Sequence, residues 1–153
     1  MIDENTKILI LGSLPSDISI SQQQYYANPN NDFWKILSII LNETMPNEYN
    51  TKIRILQNHH IGLWDIYYSS TRFGSMDKDI QEKKLNDPDL IKKKYPHIEL
   101  ICFNGKEAGL SEHIFQEKGF KTIILPSSSG ANRRNQNKRL QEWSVIKKYE
   151  IAG

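Results

Sequence analysis

Ile8-Leu9-Ile10-Leu11-Gly12 is an unbroken apolar run closed by a glycine, and the long polar stretch 13–31 follows it. Four large aliphatic residues that stop at a turn residue read as a strand, and a connection of that length inside a small domain is usually functional. Beyond it, Asn31 or Asp32 offers a helix N-cap. Phe33, Ile36, Leu37, Ile40 and Leu41 then recur at helical spacing, which predicts a helix over residues 34–42. The last third repeats this order, with a strand over 99–103, the turn Asn104-Gly105, a helix over 106–117 stopped by Gly119, and a strand over 121–125. Between the two units lie a predicted helix at 46–59, an extended stretch at 61–68, a polar loop through Gly74, and short charged helices at 77–85 and 88–94. Pro126 leads into a loop of small residues, 127–133, and an amphipathic helix to about Tyr149. Strands that alternate with helices imply right-handed crossovers, so the expected fold is α/β, a three-layer α/β/α sandwich on a central, mostly parallel four-stranded sheet.

A chain of 153 residues is the size of one domain, and residues 1–153 are expected to form a single core. With 38% hydrophobic and 25% charged residues, and no apolar run long enough to cross a bilayer, the pattern predicts no membrane association. Two acids precede the first apolar run, where a secretory signal would carry basic residues, so a cytoplasmic location is expected. A single cysteine, Cys102, excludes an internal disulfide and lies in an apolar run where a buried core role is the simplest reading. The formal charge of +2 is modest but uneven. Residues 133–148 hold Arg133, Arg134, Lys138, Arg139, Lys147 and Lys148 against Glu142, a local +5 that leaves −3 for the rest. Such a patch is either a solvated helix face or the cationic surface that a phosphate backbone requires.

Ligands of open α/β sheets sit beyond the carboxyl ends of the strands, and here the segments that follow the strands are rich in Ser, Asn, Gly and Tyr. The turn after Gly12 has neither the GxGxxG nor the GxxxxGK[ST] pattern, so no nucleotide cofactor is expected. No GxSxG elbow accompanies the serines, and His97 and His113 lie in or beside predicted helices. His59 and His60 are neighbours and point about 100° apart on a helix, so no metal site is expected. The segment from Tyr25 to Trp34 is different, because it packs two tyrosines, three asparagines, Phe33 and Trp34 into ten residues. An aromatic plate beside amide side chains suits a planar heterocycle, stacked on its face and hydrogen-bonded at its edge.

Gly12-Ser13-Leu14-Pro15-Ser16, followed by Gln24-Tyr25-Tyr26-Ala27-Asn28-Pro29-Asn30-Asn31-Asp32-Phe33-Trp34, resembles the first motif of the uracil-DNA glycosylase superfamily. It is most similar to the hypoxanthine-DNA (deoxyinosine) glycosylase branch, which reads approximately G-S-x-P-S and then Q-Y-Y-x-H-P-x-N-x-F-W. The resemblance continues through Gly62-Leu63-Trp64-Asp65, Gly74-Ser75-Met76-Asp77, Phe103-Asn104-Gly105 and Leu125-Pro126-Ser127-Ser128-Ser129 with Asn132, nearly the whole chain in order. Mismatch-specific uracil glycosylases carry G-I-N-P in the first motif, with the asparagine orienting the hydrolytic water, and Leu14 stands at that position here. The resemblance transfers the catalytic role to Asn31, the asparagine before x-F-W. It places Tyr26 against the flipped base, with Gly12, Ser13, Asn28, Phe33, Asp65 and Asn104 as further base-binding residues. Asn28 stands where the branch usually has histidine. Ser127, Ser128 and Ser129 match the loop that grips the DNA backbone, and Asn132, Arg133 and Arg134 lie where a base-displacing wedge or a phosphate contact is expected.

The resemblance therefore implies a monofunctional glycosylase that needs no cofactor and acts as a monomer on DNA containing a deaminated or mismatched base. Hypoxanthine is the expected base, because Leu14 replaces the asparagine of the uracil enzymes. The alternatives are uracil or thymine opposite guanine, or a DNA-binding protein of the same fold without catalysis.

Overall fold

The computed structural model describes residues 1–12, 21–68, 84–85 and 87–152. Ser13, Leu14, Gly74 and most of the helix expected over 77–85 lie outside them. Strand β1 (Ile8–Gly12) is followed by helices α1 (Phe33–Ile40) and α2 (Tyr49–Asn58), strand β2 (Ile61–Asp65) and the short strand β3 (Tyr67–Tyr68). Strand β4 (Lys84–Leu85), helix α3 (Pro88–Lys94) and strand β5 (Leu100–Asn104) come next. Helices α4 (Lys106–Gly109) and α5 (Glu112–Glu117), strand β6 (Lys121–Leu125), a 3-10 turn (Gly130–Asn135) and helices α6 (Gln136–Trp143) and α7 (Val145–Ala152) complete the described chain.

The main sheet is four-stranded and parallel throughout, in the order β2-β1-β5-β6. Its pleat sends Ile8 and Ile10 to one face, where they meet Phe33, Leu37, Leu56, Trp143 and Ile146. Leu9 and Leu11 go to the other, against Ile91, Phe103, Ala108 and Phe115. Both faces of β1 are therefore covered, as the unbroken apolar run requires, and the three-layer sandwich is present. Cys102 is fully buried on the first face.

Three elements differ from the expectation. Residues 84–85 form a strand paired antiparallel with β3, where a helix was expected. The helix expected over 106–117 is two, broken at Leu110-Ser111 just after Gly109, a residue about 1 kcal/mol less favourable than alanine inside a helix. The C-terminal basic stretch is a 3-10 turn and two short helices rather than one. Among the described residues no helix is long and apolar enough to cross a membrane.

Phe103 is fully buried, with its ring 5.5 Å from that of Phe115. Phe103→Ala is expected to lower the unfolding free energy by about 3–5 kcal/mol through lost contacts and a cavity, read as a fall in the urea midpoint.

Candidate active site at the switch point of the sheet

β1 connects through its helices to β2 on one side of the sheet, while β5 connects to β6 on the other, so the chain reverses direction between β1 and β5. A crevice opens at the carboxyl ends of strands where the order reverses in this way. Gly12 ends β1 and Asn104 ends β5. The loop after β6 and the segment before α1 close over the same point.

Those two segments are joined by backbone. Asn31 and Ser129 form an antiparallel bridge, and the Asp32 N–H donates to the Ser128 carbonyl at 2.8 Å. Gly130 permits the approach, since a Cβ there would overlap the Asn30 carbonyl oxygen. Gly105, at φ 97, permits another; a Cβ there would lie 3.2 Å from Ser127 Cβ.

A buried ion cluster locks the junction. Arg133 clasps the Asp32 carboxylate with two bonds of 2.8 Å, from Nε to Oδ2 and from a terminal nitrogen to Oδ1. Arg139, with its side chain 1% exposed, donates to Oδ2 at 2.6 Å and also to the carbonyls of Ser127 and Ser129. These hydrogen bonds and charges, Arg133 first, hold the Asp32 carboxyl well below the usual carboxylate range despite burial. Trp143 adds an indole N–H to the Pro126 carbonyl at 2.8 Å.

The aromatic plate is layered. Phe33 is fully buried, and the Tyr26 ring lies parallel on it, with centroids 3.9 Å apart and an interplanar angle of 14°. Tyr26 sits at φ 55, a left-handed conformation that a tyrosine adopts at a cost and that often marks a functional site. The residue before it is tied down at both of its backbone groups, by Trp34 Nε1 donating to the Tyr25 carbonyl at 3.2 Å and the Tyr25 N–H donating to the Tyr49 hydroxyl at 3.0 Å. Burial, and after it the charge of Asp65, pushes the Tyr26 phenol up against the opposing hydrogen bond from Asn104, so it stays neutral. Gly12 leaves room here, since a Cβ on it would lie 3.1 Å from Asp65 Oδ1 and 3.5 Å from the Tyr26 oxygen.

Of the residues that the sequence singles out, Gly12, Tyr26, Asn31, Asp65 and Asn104 do converge. Asn31 lines a cleft of about 340 Å³ with Asn28, Asn30, Ser129, Gly130, Ala131 and Arg133. Several of the residues singled out are also engaged by the protein itself. Phe33 has no exposed surface to offer a ligand and instead backs Tyr26. Ser128 is fully buried, so it holds protein groups rather than a DNA backbone. Asn104 gives both ends of its carboxamide to Ser128 and Tyr26. Asn132 donates to the Ser127 carbonyl at 2.9 Å and braces its own loop. Asn28 accepts from the Asn30 N–H at 2.9 Å in a local turn. Ser127 and Ser129 are half-buried and accept from the N–H groups of Ser129 and Ala131. The basic patch loses Arg139 to the interior, and the charge of Arg133 is shared with Asp32; Arg134, Lys138, Lys147 and Lys148 remain exposed. The sequence offers Asp32 as a helix N-cap and Arg139 as part of the basic stretch, and their pairing across 107 positions leaves no local signal that could have revealed it.

The family model described as the uracil DNA glycosylase superfamily matches residues 1–149. A hypoxanthine DNA glycosylase of Methanosarcina acetivorans is 46% identical over 147 residues, 95% of this chain and 93% of that protein. Its namesake from Methanosarcina barkeri is 43% identical over 145 residues, covering 94% and 92%. The solution NMR structure of a candidate uracil DNA glycosylase from M. acetivorans superposes with a TM-score of 0.84 at 46% identity, covering 97% of this chain and 94% of that one.

Removing Arg139 leaves Asp32 buried with only the half-exposed Arg133. Arg139→Met is expected to cost roughly 3 kcal/mol of stability, measured by chemical denaturation at neutral pH. Because the Asp32 carboxyl is depressed on folding, its contribution is complete above its unfolded value of 3.8 and fades as pH falls below that. The deficit of Arg139→Met should therefore shrink in acid.

Proposed function

This chain belongs to the uracil DNA glycosylase superfamily, and on that footing we propose that it excises hypoxanthine from DNA by hydrolysing the N-glycosidic bond of the flipped nucleotide. The relatives that are 43% and 46% identical carry the name hypoxanthine DNA glycosylase over most of their length, which supports that base over uracil. The observation that carries the reading is the Phe33–Tyr26 stack beside Asn31 at the switch point of the sheet.

A base pulled out of the duplex loses its stacking partners. Tyr26, backed by Phe33, offers a rigid aromatic face in their place, worth about 1–3 kcal/mol per base. Unstacking is cheapest at a mispaired deaminated base, which adds selectivity before any contact is made. When the C1′–N9 bond breaks, its electron pair leaves with the purine and positive charge develops on the sugar. Water then bonds to C1′ and loses a proton to solvent, and the purine is reprotonated. Neutral amides suit this chemistry, since they contact a developing charge without a protein nucleophile. The exposed Arg134, Lys138, Lys147 and Lys148 supply charge for the phosphate backbone. The protein acts as a single chain and leaves the abasic strand intact.

Single-turnover excision on oligonucleotides that carry one hypoxanthine, uracil, xanthine or thymine, opposite each base, tests this. Alkali-labile abasic sites are expected at hypoxanthine, with no cleavage in untreated lanes. Cleavage confined to uracil opposite guanine would assign the other specificity, and salt-dependent binding without excision of any base would leave a DNA-binding protein. Tyr26→Ala is expected to slow excision by roughly 10- to 100-fold through lost stacking. Asn31→Ala is expected to slow it by about 100-fold or more with DNA affinity nearly unchanged, measured by titration of an uncleavable analogue.

A further inference from the structure

Asn104, Ser128 and Asn31, from three separate segments, are joined end to end, and two backbone N–H groups settle which way each amide faces. The Ser128 N–H can only donate, and it lies 2.9 Å from one end of the Asn104 carboxamide, which is therefore Oδ1. The other end is Nδ2, whose two protons go to the Tyr26 oxygen at 3.1 Å and to Ser128 Oγ at 2.9 Å. Ser128 Oγ thus accepts from Asn104 and directs its own proton elsewhere. Asn31 Oδ1 receives it at 2.7 Å. The same Oδ1 accepts the Phe33 N–H at 2.9 Å, the second donor whose identity is beyond choice. A carbonyl oxygen has two lone pairs, and both of those on Asn31 are filled.

An asparagine that orients water through its carbonyl oxygen must accept a hydrogen bond from it, and Asn31 Oδ1 has no capacity left for one. We infer that Asn31 acts as a hydrogen-bond donor through Nδ2, toward the purine as it departs, and that Ser128 and Asn104 are the positioning residues that hold it so. This rests on the glycosylase reading above. As C1′–N9 breaks, negative charge spreads over the ring nitrogens and the six-position oxygen of hypoxanthine, and each becomes a stronger acceptor. A donor fixed before the reaction stabilises that charge without reorganising. The chain also couples the donor to the stacking plate, because Asn104 touches both Ser128 and Tyr26.

The test is the Asn31→Asp variant, a near-isostere that accepts but does not donate when ionised. Beside Asn31→Ala at about pH 8, the aspartate variant is expected to excise hypoxanthine no faster, since it sets a negative charge against a leaving anion. Relative to the alanine variant it should recover only as pH is lowered to about 4 or below, where a carboxyl becomes protonated and regains a donor. An aspartate variant that keeps more than about a tenth of the wild-type rate at the higher pH would mean that acceptance by Oδ1 is what matters, and would overturn the inference. Ser128→Ala is expected to slow single-turnover excision by roughly 10- to 100-fold while changing the affinity for an uncleavable deoxyinosine analogue little, because it frees the Asn31 amide to rotate. Equal losses in rate and affinity, or none, would reject Ser128 as a positioning residue. The Asn31 side-chain amide protons give a readout independent of turnover. They should move downfield when a duplex with the analogue binds wild type but not Ser128→Ala; no movement in wild type would overturn the donor role. Absent wild-type excision with that shift present would instead count against the proposed activity.

Discussion

The Asp32 carboxylate, gripped by Arg139 from inside the fold and by Arg133 from its edge, ties the N-terminus of α1 to the loop that leaves β6. Asn31 is the neighbour of one end of this clasp and Ser128 lies within the loop at the other, so the distance between them is set by an ion cluster that neither belongs to. Arg139 reaches past Asp32 to the carbonyls of Ser127 and Ser129 and fixes the conformation of the loop as well as its position. A charge buried to this degree is costly unless it is paired and hydrogen-bonded, and that requirement makes the arrangement close to all-or-none.

The site is built in two tiers on this frame. Phe33 and Ser128 are fully buried, and each supports one residue of the site, Tyr26 in the first case and the cleft-lining Asn31 in the second. Phe33 sets the plane of Tyr26 and Ser128 sets the rotation of the Asn31 amide. A reaction whose transition state differs from its ground state mainly in charge gains from groups that do not move when that charge appears, and neutral amides with one face saturated by protein donors meet the need.

Much of the fold was legible along the chain because its signals are local. The apolar run Ile8–Leu11, the helix Pro88–Lys94 and the strand Lys121–Leu125 follow from periodicity and from punctuation by proline and glycine. The break after Gly109 and the strand at Lys84–Leu85 were not legible, since two-residue pairing and a one-residue interruption leave too short a pattern. Gly12, Tyr26, Asn31, Asp65 and Asn104 were found as strand-end or motif residues and do converge. Phe33, Ser128 and Asn132 carry the same motif positions with different duties, which follow from burial and partners.

The sequence by itself determined the order of the main-sheet strands, the end of the sheet where a ligand belongs, and the family, because all of these reside in short patterns of residue type. Tertiary structure alone decided that Arg139 is interior rather than part of a cationic face, and that Asn31 Oδ1 is taken up by Ser128 and Phe33. The physical reason is the same in both. Arg139 and Asp32 are 107 positions apart, and Asn31 and Ser128 are 97 apart, so their hydrogen bonds leave no trace in local periodicity. Only when those partners are brought to bonding distance do a charge become buried and an amide lose its freedom to turn.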